Sequence, residues 1–174
     1  MRRLALPALP LLLALALSGC GYRPVTALGA LSPAEGVDVT LFSNRSYRAG
    51  VEGVLARDMV AELARRTGGR VLSGREAGQL LSGTVLSYHS DPVSYTADDN
   101  VREYRSTLKV EAVLREKATQ RVLWKGELTE DQTYPAYPEN AADIGKQQNA
   151  EDAAIDKICR RLSEEVWQKI SERF

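Results

Sequence analysis

Tyr104-Arg105-Ser106-Thr107-Leu108-Lys109-Val110-Glu111-Ala112-Val113-Leu114-Arg115 is the stretch that decides the fold. Tyr104, Ser106, Leu108, Val110, Ala112 and Leu114 share one parity. Arg105, Thr107, Lys109, Glu111, Val113 and Arg115 share the other. A period of two with a mostly apolar and a mostly charged side is a half-buried strand of an antiparallel sheet. Lys117 to Gln120 turns the chain back, and Val122, Trp124, Gly126 and Leu128 then alternate with Leu123, Lys125, Glu127 and Thr129. Two such strands joined by a short polar turn predict a hairpin.

Working outward, Leu80 to Tyr88 is a further strand. Leu80, Thr84, Leu86 and Tyr88 fall on one side and Leu81, Gly83 and Val85 on the other. Neither side is cleanly apolar, which predicts a bulge near Gly83. Asp91-Pro92 and Asp98-Asp99-Asn100 are turn chemistry. Upstream, Val37, Val39 and Leu41 alternate with Asp38, Thr40 and Phe42 as a strand, and Ser43 to Ser46 breaks it. From Gly50 the period lengthens: Val51, Val54, Leu55, Met59 and Leu63 form a helical stripe, with Arg65 and Arg66 in the last turn and Gly68-Gly69 as the stop. Asp131 to Ile144, with Pro135 and Pro138, reads as a loop. A closing helix runs from about Asn149 to Arg173, its stripe Ile155, Ile158, Leu162, Val166 and Ile170. Asn149 and Asp152 have capping-box spacing at its start. The order β-α-β-β-β-α predicts an α+β two-layer sandwich: about four strands in a mainly antiparallel sheet, with two helices on one face.

The N-terminus carries an address. Met1-Arg2-Arg3 is basic, Leu4 to Leu17 is apolar, and small residues precede a cut site, as in a secretory signal peptide. The apolar run is too short for a comfortable membrane span. Leu17-Ser18-Gly19-Cys20 resembles the lipobox of bacterial lipoproteins, which implies that Cys20 carries an S-linked diacylglycerol and an N-linked acyl chain. The alternative is an ordinary signal peptide with a chance cysteine. Gly21 stands where an Asp would favour inner-membrane retention, so the resemblance implies the outer membrane, facing the periplasm. Residues 1–19 are then the signal peptide, 20–36 the lipidated start and a Pro- and Gly-containing tether, and 37–174 a single domain.

Of the 174 residues, 155 follow the signal peptide, enough to bury a core without staples. They carry 21 basic and 23 acidic groups, which argues against nucleic-acid binding. Two cysteines make no disulfide scaffold and one histidine removes most multi-ligand zinc sites. His89 lies near Ser87, Ser90 and Asp91, but neighbours on one strand do not converge as a triad, and no Gly-x-Ser-x-Gly elbow occurs. Cys159 reads as a small buried hydrophobe rather than a redox thiol. Gly74 and Gly78 lack a phosphate-loop context, and the acidic pairs Asp98-Asp99 and Glu151-Asp152 read as a turn and a helix start.

Arg105 and Lys109 lie on the non-core side of the deciding strand with Arg102 at its entrance, a candidate contact for anionic groups; the competing reading is a solvated strand face shared with Glu103, Glu111 and Glu127. Tyr88, Tyr95 and Tyr104 flank one loop and Tyr134 and Tyr137 lie in another, placed either for an interface or for packing on the domain.

Taken in order, Cys20-Gly21-Tyr22-Arg23-Pro24, Val39-Thr40-Leu41-Phe42-Ser43-Asn44, Gly50-Val51-Glu52, Leu81-Ser82-Gly83-Thr84-Val85, Pro92-Val93-Ser94-Tyr95, Glu103-Tyr104-Arg105, Val122-Leu123-Trp124 and the closing helix resemble the LptE family of lipopolysaccharide-assembly lipoproteins. The resemblance implies the same two-layer sandwich and no enzymatic activity. It implies a plug inside an LptD-type β-barrel of the outer membrane, helping to assemble it and to place lipopolysaccharide in the outer leaflet. Arg102, Arg105 and Lys109 are then candidates for the ligand's phosphates. The competing reading is a non-enzymatic, periplasm-facing lipoprotein accessory of another envelope or barrel-assembly complex. A lipid-anchored hydrolase working through His89 or an acid is the third.

Overall fold

The computed structural model describes residues 36–137 and 143–172. The lipobox, Cys20 and the tether up to residue 35 lie outside the described residues, as do residues 173–174. The elements are β1 (Val37–Val39), β2 (Ser43–Asn44), α1 (Val51–Arg66), a single 3-10 turn (Gly74–Glu76), β3 (Gln79–Tyr95), β4 (Val101–Glu116), β5 (Val122–Pro135) and α2 (Ile144–Ser171). They form one sheet in the order β1-β3-β4-β5, with β2 also beside β3. β3, β4 and β5 are antiparallel neighbours, whereas β1 and β2 run parallel to β3. The α+β class and the expected element order hold; the sheet has five strands and is mixed at its short edge.

The deciding stretch behaves as its alternation dictates. Ser106, Leu108, Val110, Ala112 and Leu114 are buried beneath the helices. Leu108, Val110, Ala112 and Leu114 meet Leu55, Met59 and Leu63 of α1 and Ile158, Leu162 and Val166 of α2 in one core. The helices run parallel, as their ion pairs show: Arg57 meets Asp156 at 3.0 Å and Arg65 meets Glu164 at 4.0 Å, eight residues further along each helix. Such exposed pairs contribute about 0–1 kcal/mol each, so the apolar stripes hold the layers together.

The ambiguous pattern of β3 has a simple cause. Its register to β4 slips between Val85 and Ser87, leaving Leu86 out of step. Before the slip the odd residues Leu81 and Val85 face the core; after it the even residue Tyr88 does. One extra residue exchanges the faces of a strand. Gly83 itself stays in register opposite Ala112, and the Phe42 ring lies where its Cβ would be.

Phe42 also corrects the first strand. Continuous alternation over Val37–Phe42 predicts Leu41 inward, but Leu41 is 66 % exposed and Phe42 2 % exposed. The chain leaves the ladder after Val39, turns Phe42 inward and rejoins β3 at Ser43–Asn44. The residues expected to end the strand thus form its second piece. Asp91-Pro92 is no turn either: β3 runs through it to Tyr95, with irregular register at Pro92–Ser94 and Ser94–Tyr95. Pro92 lies beyond the end of β2, where β3 has an open edge that does not need its missing N–H. β5 likewise continues through Asp131 to Pro135, and α2 begins at Ile144, so Asn149 is inside the helix and not its cap. Asp143 stands at the N-cap without a side-chain cap bond.

Glu62 is buried on α1 and is gripped by Arg65 and by Arg66, the latter at 2.8 Å. Burial alone would raise its carboxyl; the two arginines outweigh it and hold it below the usual glutamate range. A carboxylate depressed in the folded state adds stability above its unfolded value, about 4.3, and loses it as pH falls through the folded value. Glu62→Gln is expected to lower the urea midpoint at pH 7 and to shrink the acid-induced loss below about pH 4.3, read from urea curves across pH 3–7.

Candidate functional site

The structure separates the three basic residues singled out in the sequence. Arg105 and Lys109 lie on the sheet face opposite the helices, and Arg102 shares the parity of Tyr104 and Ser106 on the helix side. On the helix-free face, Lys109 Nζ meets Glu127 at 2.6 Å, Lys125 Nζ meets Glu111 at 2.7 Å and Arg105 Nε meets Asp131 at 3.4 Å. Glu111 and Glu127 are direct cross-strand neighbours. Like charges in that position repel, and the diagonal lysines offset them. The hydrogen bond from Lys109 holds the Glu127 carboxyl below its ordinary value. Each of these three cations has an acid beside it, so an incoming anion must displace a partner first.

His89 is exposed on the same face, opposite Thr107. Cys159 is fully buried on α2, and burial pushes its thiol up to about 12. A thiol so raised is not a nucleophile near neutrality. Among the described residues there is no cluster of His, Cys, Asp or Glu able to hold a metal, and no helix is long and apolar enough to cross a membrane.

The tyrosines divide between packing and exposure. Tyr88 is buried; its hydroxyl donates to Glu151 Oε1 at 2.6 Å and pairs with Ser106 Oγ at 2.7 Å. Burial, then the bond to the carboxylate, raise its phenol. Tyr134 pairs with Ser90 Oγ at 2.6 Å and stacks on Tyr104, ring centroids 5.7 Å apart at 23°. Tyr95 is 56 % exposed and Tyr137 36 %.

Where β4 and β5 outrun the helices, a groove of about 720 Å³ opens on the helix side, lined by Thr96, Asp99, Asn100, Arg102, Tyr104 and Tyr137 among others. The Thr96 and Asn100 backbones close the hairpin end (Thr96 N to Asn100 O, 2.8 Å), with Asp99 left-handed at φ 59°. The far wall is tied to the first turn of α2 through Tyr137 N donating to Gln147 Oε1 at 2.8 Å. Sequence reasoning marked the Asp98–Asn100 turn and the flanking tyrosines separately. Their meeting depends on β5 running to Pro135, which a Pro-containing segment concealed.

A family model described as "LptE: Lipopolysaccharide-assembly" matches residues 34–170. Among solved structures, the chain is similar to rare lipoprotein B from Shewanella oneidensis, with 16 % identity, a TM-score of 0.50, and coverage of 75 % of this chain and 92 % of that one. It is also similar to a Xanthomonas campestris protein (17 % identity, TM-score 0.53, 84 % and 89 % covered). A hypothetical protein from Chlamydia trachomatis shares the fold at 9 % identity (TM-score 0.55, 79 % and 96 % covered). At these identities the likeness is one of fold. No curated protein matches the sequence.

Proposed function

The chain belongs to the LptE lipopolysaccharide-assembly family, and from that premise we propose that it is a lipoprotein of the outer membrane, anchored through acyl chains on Cys20. Its domain plugs an LptD-type β-barrel, helps to assemble it, and supports insertion of lipopolysaccharide into the outer leaflet. The observation that carries this reading is the family match across almost the whole domain. The role is mechanical rather than catalytic: a two-layer wedge whose helix-free sheet face is charged yet internally balanced suits contact with a polar barrel wall. The lipid phosphates of the cargo would meet Arg102 directly, and Arg105 and Lys109 by exchanging Asp131 and Glu127 for phosphate oxygens.

The test is co-purification of the tagged, lipidated chain from mild-detergent extracts of outer membrane. One large heat-modifiable β-barrel, in about equal amount and identified by mass spectrometry as the lipopolysaccharide translocon, is the expected result. A different partner, or none with the protein still folded, overturns the plug and favours an accessory role in another envelope complex. For the basic residues, Arg105→Glu with Lys109→Glu is expected to weaken lipopolysaccharide binding about tenfold or more at low salt, as loss of two charge-assisted contacts implies. Unchanged binding removes them from the site.

A further inference from the structure

The groove beside the hairpin end offers more chemistry than the phosphate contact of Arg102 would use. Four of its eight lining residues, Thr96, Asp99, Asn100 and Arg102, carry non-aromatic hydrogen-bonding side chains. The side chains of Asp99, Asn100 and Arg102 have no hydrogen-bond or ion-pair partner among the described residues. Asn100 offers a donor pair and an acceptor in one plane, Asp99 offers acceptors, and Arg102 offers a planar fork of donors. The floor is aromatic and fixed: Tyr134 covers one side of Tyr104 and is itself held by Ser90. Tyr137 stands at the rim, its backbone pinned to α2. The volume, about 720 Å³, lies in the range of small-molecule sites, about 300–1,000 Å³.

Each ligand class makes different demands on these walls. An acyl chain needs apolar walls, and this rim is polar. A simple anion would engage Arg102 alone and leave the Asn100 amide and the tyrosines unused. A sugar ring presents a C–H face and a circumference of hydroxyls that both donate and accept. An aromatic floor with a planar mixed donor-acceptor rim matches it. We propose that this groove binds a neutral saccharide segment, the ring lying against Tyr104 and Tyr137 and its hydroxyls bridging Asn100, Asp99 and Arg102. The inference goes beyond the barrel reading and draws on it only for one of two sugar sources.

The test uses the full lipidated chain in mild detergent and two probes, observed by saturation-transfer NMR and calorimetry. One probe is core oligosaccharide freed of lipid by mild acid and of phosphate by phosphatase. The other is a tetramer of N-acetylglucosamine, standing for cell-wall glycan. Binding of the first, weakened at least tenfold by Asn100→Ala and by Tyr137→Ala, is expected. Binding of the tetramer instead, with the same loss, supports the site and assigns the cell-wall source. Binding of neither probe, or binding indifferent to both substitutions, overturns it. Both variants alter exposed positions, and unchanged thermal unfolding verifies that they fold. Barrel co-purification that survives while neither sugar binds leaves the proposed function standing and removes the groove alone.

Discussion

Gly83→Ala is expected to destabilise the domain by about 3 kcal/mol, near the upper end for overpacking a close-packed core. A Cβ at Gly83 would stand 2.3 Å from the Phe42 ring and 2.3 Å from the carbonyl oxygen of Glu111. The ring can move; the carbonyl belongs to the central strand of the sheet and cannot move without shifting the β3–β4 ladder. Relief therefore falls on Phe42, which is buried at the seam where the short parallel edge meets the core. Expelling it would approach the about 3–5 kcal/mol cost of truncating a buried phenylalanine. For a domain of this size 1 kcal/mol moves the melting temperature by about 2–4 °C, so a drop of about 6–12 °C follows. Gly53, in the first turn of α1, is the control: an added Cβ meets nothing within 4 Å. Gly53→Ala is expected to stabilise by up to about 1 kcal/mol through helix propensity. Parallel thermal melts of both variants check the pair. A Gly83→Ala melt within 2 °C of the parent would mean that Phe42 does not depend on the glycine.

The same glycine marks how far the sequence could be read. Alternation identified β4 and β5 because both keep one parity over the core, and helical spacing identified the buried stripes of α1 and α2. Periodicity fails where the chain changes parity in mid-strand. It does so at Thr40–Phe42 and at Leu86, and in both places a tertiary contact decides: Phe42 over Gly83, and Tyr88 turned inward to Ser106 and Glu151. Turn residues mislead where a strand has an open edge, as at Pro92 and Pro135. Arg102, Arg105 and Lys109 look like one cluster in sequence. Parity alone already divides them, odd from even, and the groove on the Arg102 side forms only through a cross-strand pairing 30 residues apart, Tyr104 with Tyr134.

Cys20→Ala is expected to release the chain from membranes almost completely. Among the described residues no helix is long and apolar enough to cross a membrane, and the large exposed apolar residues include Tyr95 and Tyr137 at one end and Leu41 elsewhere. The proposed anchor is the set of acyl chains that the lipobox implies. Each buried methylene contributes about 0.8 kcal/mol, and a single chain alone gives a binding constant of about 10⁴ M⁻¹. Two chains on the thiol and one on the amine exceed that by far, so losing them lowers partitioning by at least ~10⁴-fold. The measurement is flotation of purified acylated chain, and of a Cys20→Ala chain made without residues 1–19, with phospholipid vesicles that contain no barrel, so that neither a protein partner nor the apolar signal segment can substitute for the lipid. The parent should float with the vesicles and the variant stay below. If the variant floats equally well, Cys20 is not the anchor, and the exposed aromatic end of the sheet becomes the membrane contact. That outcome would put the hairpin end against the bilayer, whereas Gly36 enters β1 beside Gln79, at the opposite end of β3 from Tyr95. With the lipid on Cys20, the chain enters the sheet at one end and the groove lies at the other, so anchoring would leave the hairpin end free to meet a ligand.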